Sequence, residues 1–185
     1  IGNSFLKPGP GWGGSCFPKD TSALVSMAKG YDSALPLVES AISSNEAAFK
    51  RSVDVIESLA EGQLMNKTIA IWGVAFKANT DDTRDSPALR IIDLLLKRGA
   101  KIRAFDPIAR VPEAAGLSMA SSAIEATKGA DVLAILTEWP EFSMVSPEQV
   151  VAGMKNSVVY DARRILPESW RPHFSVFKAL GEASK

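Results

Sequence analysis

The side chain best able to do covalent chemistry in this 185-residue chain is its only thiol, Cys16. It lies in the run Gly9-Pro10-Gly11-Trp12-Gly13-Gly14-Ser15-Cys16-Phe17-Pro18-Lys19-Asp20. A thiol becomes nucleophilic when a cation or the positive end of a helix stabilises its thiolate. Lys19 supplies the cation. The apolar period after it predicts a helix capped by Asp20 or Thr21, running to about Lys29 and ended by Gly30. Asp20 can orient water or carry a proton. The glycines let backbone N–H groups approach a developing oxyanion. Together these predict covalent catalysis through Cys16, with alkylation at neutral pH faster than a free thiol shows. The competing reading is a small buried hydrophobe, the common fate of a lone cysteine.

Two other stretches could bind anions. Phe76 to Pro87 leaves the end of a strand and carries Lys77 and Arg84 toward a helix N-terminus at Ser86. Three acids accompany these cations, so a solvated charged loop competes. Tyr160 to Arg164 ends another strand, and Arg163 could clamp a phosphate or carboxylate with two parallel bonds, or pair with a surface acid.

Several elements must hold these residues. From about Pro36 to Gly62 nothing breaks a three-or-four-residue apolar period through Val38, Ile42, Asn45, Phe49, Val53, Ile56 and Ala60. This predicts a helix of roughly 25 residues, some 37 Å long. A helix of that length commonly spans a dimer axis or joins two domains, and Asn45 in its seam could set register between two copies. The polar break at 62–67 divides the chain. Residues 1–66 would hold the cysteine loop and central helices, and residues 67–185 an α/β domain. Strands are predicted at Thr68–Val74, Lys101–Pro107, Asp131–Leu136 and Ser157–Asp161, with an edge strand near Phe174–Ala179. Helices starting at Ser86, Ser122 and Ser146 lie between them, so the sheet should be parallel, with ligands at its carboxyl ends. The fold class is thus α/β, a long central helix followed by a Rossmann-like parallel-sheet domain. Trp72 is expected in the core, Trp12 on a pocket wall, and His173 in a structural or exposed role.

The composition excludes several functions. Net charge is zero and the basic residues are scattered, so neither nucleic acid nor an anionic membrane is expected as a partner. No apolar run is long enough to cross a bilayer. One Cys and one His exclude a Cys/His zinc site. A single cysteine suits a reducing, cytoplasmic setting. Gly9-x-Gly11-x-Gly13-Gly14 resembles a dinucleotide fingerprint only superficially, because no good strand precedes it. The strand that should carry one is followed by Gly73-Val74-Ala75-Phe76, with no further glycine. The sheet is therefore expected to lack a dinucleotide site. With neither an initiator Met nor a signal sequence, the chain reads as a fragment or processed piece.

Taken together, Phe5 to Gly9, Gly9 to Asp20, Ile69 to Pro87, Ile102 to Pro107 and Tyr160 to Arg163 resemble the nucleotide-sugar 6-dehydrogenases of the UDP-glucose/GDP-mannose dehydrogenase family, nearest the members that oxidise UDP-glucose. The resemblance covers essentially the whole chain. It implies two successive oxidations of a sugar C6 alcohol to a carboxylate, with two NAD⁺. It makes Cys16 the nucleophile that forms a thiohemiacetal and then a thioester, and Asp20 the catalytic carboxylate. It places Phe5, Leu6, Lys7, Pro8, Gly9, Gly13, Lys77 and Arg163 against the UDP-sugar, and Lys19 and Arg84 against NAD. In the family an N-terminal NAD-binding domain carries the true glycine fingerprint and a catalytic lysine, and neither appears here. The family also has an arginine just before the residues that match Ile1-Gly2-Asn3, contributed to a neighbouring subunit's site. The implied partners are a UDP-sugar, that N-terminal domain, and a second copy joined through the long helix near residues 36–61. The chain would then be the C-terminal portion of such an enzyme, inactive alone. A sister enzyme acting on GDP-mannose or a UDP-N-acetylhexosamine, or a non-catalytic nucleotide-binding or oligomerisation module, are the alternatives.

Overall fold

A computed structural model describes Gly2 and residues 6–182. Two helices come first, α1 (Phe17–Gly30) and α2 (Pro36–Leu59). They are followed by β1 (Thr68–Trp72), α3 (Pro87–Lys97), β2 (Lys101–Phe105), β3 (Leu117–Met119), α4 (Ala123–Thr127), β4 (Val132–Ile135), α5 (Pro147–Gly153), β5 (Val158–Asp161) and β6 (Val176–Ala179). Short 3₁₀ turns lie at Pro140–Met144 and Glu168–His173.

The six strands form one sheet in the order β3-β2-β1-β4-β5-β6, and every pairing is parallel. This is a doubly wound order, with its reversal between β1 and β4. Alternation along β1 divides the core. Ile69 and Ile71 pack with Phe49, Val53 and Ile56 of α2 and with Ile91, Ile92 and Leu95 of α3. Ala70 and Trp72 face the opposite layer, which contains Phe142, Trp170 and Phe174. Trp72 is fully buried and donates its indole N–H to the Ala123 carbonyl at 3.0 Å. Helix α3 starts where its sequence says it should. The Ser86 hydroxyl accepts from Ala88 N–H, and Pro87 occupies the first turn.

Helix α2 is divided along its length. From Asn45 onward it buries Phe49, Ser52, Val53 and Ile56 against the sheet. Arg98, the C-cap of α3, ties it further, at 2.8 Å from Asp54 and 2.5 Å from Glu57. Before Asn45 the helix is largely exposed, and α1 buries no residue at all. Leu24, Met27, Tyr31 and Leu37 form an exposed apolar surface there, Leu37 being 86% exposed.

Three expectations need correction. Helix α1 begins at Phe17, with Cys16 at the N-cap, and not at Asp20 or Thr21. Pro18 accounts for this: its ring is preorganised for a first helical turn, where its missing N–H costs nothing. Strand β3 was not foreseen, because its three residues bury only Leu117. Asn45 does not wait for a second helix, since both ends of its amide are bonded within the chain. Among the described residues no helix is long and apolar enough to cross a membrane, and no cluster of ligating side chains could hold a metal.

Candidate active site

The carboxyl edge of the sheet is built around Asp106, fully buried just after β2. Its Oδ2 accepts from Val74 N at 2.8 Å, Ala75 N at 3.1 Å and the Trp139 indole at 3.1 Å. Its Oδ1 accepts from Ile108 N at 3.1 Å and Ala109 N at 2.8 Å. One carboxylate thereby fixes the loops after β1, β2 and β4. Thr137 adds a bond from its hydroxyl to the Ala75 carbonyl at 2.7 Å. A Cβ at Gly73 would lie 2.3 Å from Thr137, so the β1 and β4 loops are sewn together.

That arrangement decides where a dinucleotide can sit. A pyrophosphate needs an open glycine loop after β1, and a ribose needs a free acid at the end of β2. Here the loop has closed onto Thr137, and all the donors around Asp106 are internal. The sheet's own switch point does not fit NAD. Two exposed cations, Lys19 and Arg84, lie in this region, and a neighbouring acid raises the pKa of each, Asp20 for Lys19 and Asp82 for Arg84.

The glycine loop lies on this edge. A Cβ at Gly9 would fall 2.1 Å from the Arg163 guanidinium. A Cβ at Gly13 would fall 2.1 Å from the Asp85 carbonyl, and one at Gly14 would meet the Phe76 ring. These glycines are therefore required by close approach, and they join the loop to the segments carrying Lys77, Arg84 and Arg163. Arg163 is mostly buried and ion-pairs with Glu138 at the end of β4. Its Nε has no hydrogen-bond partner among the described residues. Buried Asp161 accepts from Arg163 N at 3.0 Å and Leu166 N at 2.8 Å, which sets the turn that presents the arginine. Burial pushes the Asp161 carboxyl up, against the pull of those backbone bonds.

Cys16 is exposed at the N-cap of α1, and no side chain caps that helix end. Its Sγ is 3.7 Å from Ser15 Oγ. Lys19 and Asp20 are exposed on the first turn and pair with each other. Arg84 is held by Asp82 through Nε at 2.9 Å and Nη2 at 2.7 Å, and it lowers that carboxyl to about 2. Lys77 is exposed and sits 5.2 Å over the Phe76 ring. Leu6, Lys7 and Pro8 are exposed at the loop's entrance, and Phe5 lies outside the described residues. Trp12 and Phe17 meet edge to face at 4.8 Å. Trp12 also lines a cleft of about 490 Å³ with Pro18, Asn45, Phe49, Leu89 and Arg90.

The structure thus brings together Gly9, Gly13, Arg163 and the Phe76–Asp85 segment, and places Cys16, Lys19, Asp20 and Arg84 beside them. Sequence reasoning missed what Glu138, Asp161 and Asn45 pair with: Glu138 and Asp161 support Arg163, and Asn45, already visible as a polar residue in an apolar seam, holds Trp12. His173 is exposed, 3.4 Å from Glu148.

Comparison with known proteins is consistent with this geometry. Residues 70–168 match the model of the UDP-glucose/GDP-mannose dehydrogenase family, UDP binding domain, and residues 1–47 match that family's central domain. A UDP-glucose 6-dehydrogenase of Rickettsia conorii is 39% identical over 171 residues, covering 90% of this chain and 40% of its own length. A UDP-glucose dehydrogenase from Pyrobaculum islandicum superposes with TM-score 0.84 at 27% identity, over 99% of this chain and 41% of that one. A UDP-D-ManNAc dehydrogenase from Pyrococcus horikoshii gives TM-score 0.79 at 30% identity, over 94% and 40%. The chain therefore spans about two fifths of the length of these relatives.

Proposed function

This chain belongs to the UDP-glucose/GDP-mannose dehydrogenase family, and we propose that it is the nucleophile-bearing, UDP-sugar-binding portion of an NAD-dependent UDP-glucose 6-dehydrogenase. The observation that carries this reading is the seating of the Cys16 loop on the carboxyl edge, with Gly9 against Arg163 and Gly13 against Asp85. The same loop thus carries an exposed thiol at an uncapped helix end and, seven residues earlier, a glycine against a partly desolvated guanidinium.

In this reading Arg163 and Lys77 take the UDP moiety, with residues 5–9 and the Gly13 backbone in contact with the nucleotide sugar. Arg163 exchanges part of its pairing with Glu138 for the diphosphate or ribose. The first turn of α1 offers backbone N–H groups to the oxygen of the C6 aldehyde. Cys16 Sγ adds to that carbon, and the carbonyl oxygen takes up a proton, giving a thiohemiacetal. NAD⁺, when bound, is the hydride acceptor for both oxidations. Loss of hydride and the hydroxyl proton leaves a thioester on Cys16. Asp20, freed from Lys19, directs the water that releases the acid and returns the thiol. Lys19 and Arg84 would face the cofactor, which is held mainly by protein outside this chain, so the chain alone makes no NADH from UDP-glucose.

We place the join between the central helices and the UDP-binding domain at 66/67, and the setting in the cytoplasm. The homodimer contact belongs to α1 and the exposed N-terminal half of α2, where Leu24, Met27, Tyr31 and Leu37 are uncovered. The C-terminal half of α2 is already spent on the sheet. UDP-glucose is preferred as substrate, although the likeness to a UDP-D-ManNAc dehydrogenase keeps the N-acetylhexosamines as the second reading. A thermal-shift panel of UDP-, GDP- and ADP-sugars tests this. UDP-glucose should raise the melting temperature most. A larger shift with GDP-mannose or a UDP-N-acetylhexosamine would reassign the substrate, and no shift with any UDP-sugar would contradict the proposal.

A further inference from the structure

We propose that Asn45 is the positioning residue of the nucleophilic loop. One amide on α2 engages both backbone groups of Trp12 and so sets where Cys16 stands against the sheet. The inference rests on the reading of Cys16 as nucleophile and adds to it the device that aims the thiol.

An amide buried on the apolar face of a helix is costly unless both its ends are paired. Asn45 is only 8% exposed. Its Oδ1 accepts from Trp12 N at 2.9 Å, and its Nδ2 donates to Trp12 O at 3.0 Å. The two contacts are complementary, as a neighbouring strand would make them, and they fix which way the amide faces. They clamp the centre of the glycine loop to a rigid element. Phe49 lies one turn further along α2 and packs in the sheet's core, and Ser52 beyond it is buried.

The loop has little slack around this clamp. A Cβ at Gly11 would lie 2.3 Å from the Phe49 ring and 2.9 Å from Asn45 Oδ1. On the other side Gly13 abuts the Asp85 carbonyl, and Gly14 N donates to that oxygen at 3.3 Å. Trp12 carries the alignment onward, because its ring meets Phe17 edge to face, and Phe17 adjoins Cys16. The path from the sheet to the thiol therefore runs Phe49, Asn45, Trp12, Phe17. Arg163 is positioned from the sheet by Asp161 and Glu138, and it meets the loop at Gly9, three residues before the clamp. Loss of the Asn45 clamp should misplace the sugar end of the site and leave the nucleotide end intact.

Two variants test this: Asn45→Leu keeps the volume and removes both bonds, and Asn45→Asp keeps the acceptor and removes the donor. Amide exchange from Gly11 to Ser15 should accelerate by about tenfold for each bond lost. By calorimetry, affinity for UDP-glucose should fall by about tenfold, while affinity for UDP changes by less than about twofold. Unchanged loop exchange in both variants would overturn the proposal. Equal weakening of UDP and UDP-glucose would also overturn it, since that is what a merely structural role gives. If UDP-glucose fails to bind the unsubstituted chain, the proposed function fails, and loop exchange still decides the role of Asn45.

Discussion

If the proposed function holds, Cys16→Ala is expected to lower turnover of the full-length protein by about 10³-fold or more, the scale of losing a covalent nucleophile. The same substitution should leave folding nearly untouched. Cys16 is exposed at a helix end, contacts little, and makes no capping bond. Surface changes of that kind shift stability by about 0.5 kcal/mol or less. NADH formation from UDP-glucose, followed beside thermal melts of both proteins, checks the two halves together. A modest loss of turnover with an unchanged melt would return Cys16 to an ordinary surface residue. A large loss with a lowered melt would point to a structural fault.

The second large effect is on stability and belongs to Asp106. In Asp106→Ala five donors lose their acceptor: the amides of Val74, Ala75, Ile108 and Ala109, and the Trp139 indole. Each buried donor left unpaired costs about 1–3 kcal/mol, so even with partial rescue by entering water the total should reach about 4 kcal/mol or more. That is a large share of the about 5–15 kcal/mol that holds a typical domain together. Asp106→Asn keeps one oxygen and should lose roughly half as much. Urea titration by tryptophan fluorescence measures both. An Asp106→Ala protein within about 1 kcal/mol of the parent would show that the β1, β2 and β4 loops are held by packing alone. The effect concerns function as well, because these loops present the edge on which the Cys16 loop rests.

Much of this architecture is written in local patterns. The run Ile69 to Trp72 can only be a buried strand, Ser86-Pro87 can only start a helix, and Gly73 without further glycines already rules against a phosphate loop. Of the candidate site, Cys16 stands out by residue type and position, Arg163 competes with a surface ion pair, and Lys77 and Arg84 compete with a solvated charged loop until the family resemblance is added. Their partners were not legible, because they come from distant parts of the chain. Arg163 meets Gly9 and Glu138, and Trp12 meets Asn45, 33 residues away. An asparagine in an apolar seam suggests a polar partner but not which one, and a second helix was the natural guess. The early start of α1 shows the reverse limit. Asp20 and Thr21 are good caps, yet Pro18 extends the helix back to Phe17 and puts the thiol itself at the N-cap. That places Cys16 nearer the helix dipole than the sequence suggests.

The glycines teach a related lesson. Four of them before one cysteine invite comparison with a phosphate cradle. Gly9, Gly13 and Gly14 instead touch Arg163, Asp85 and Phe76, so they let one backbone lie flush on another part of the protein. Their service is to seat the loop that carries the thiol on the edge of the sheet that carries the guanidinium.

The most direct measurement is the alkylation rate of Cys16 by iodoacetamide, read by mass spectrometry on this chain, with and without saturating UDP-glucose. If the sugar end of the substrate lies over the thiol, UDP-glucose should slow the reaction by about tenfold, and UDP alone by much less. An alkylation rate indifferent to UDP-glucose, at concentrations where calorimetry shows it bound, would contradict the assignment of Cys16 to the substrate site.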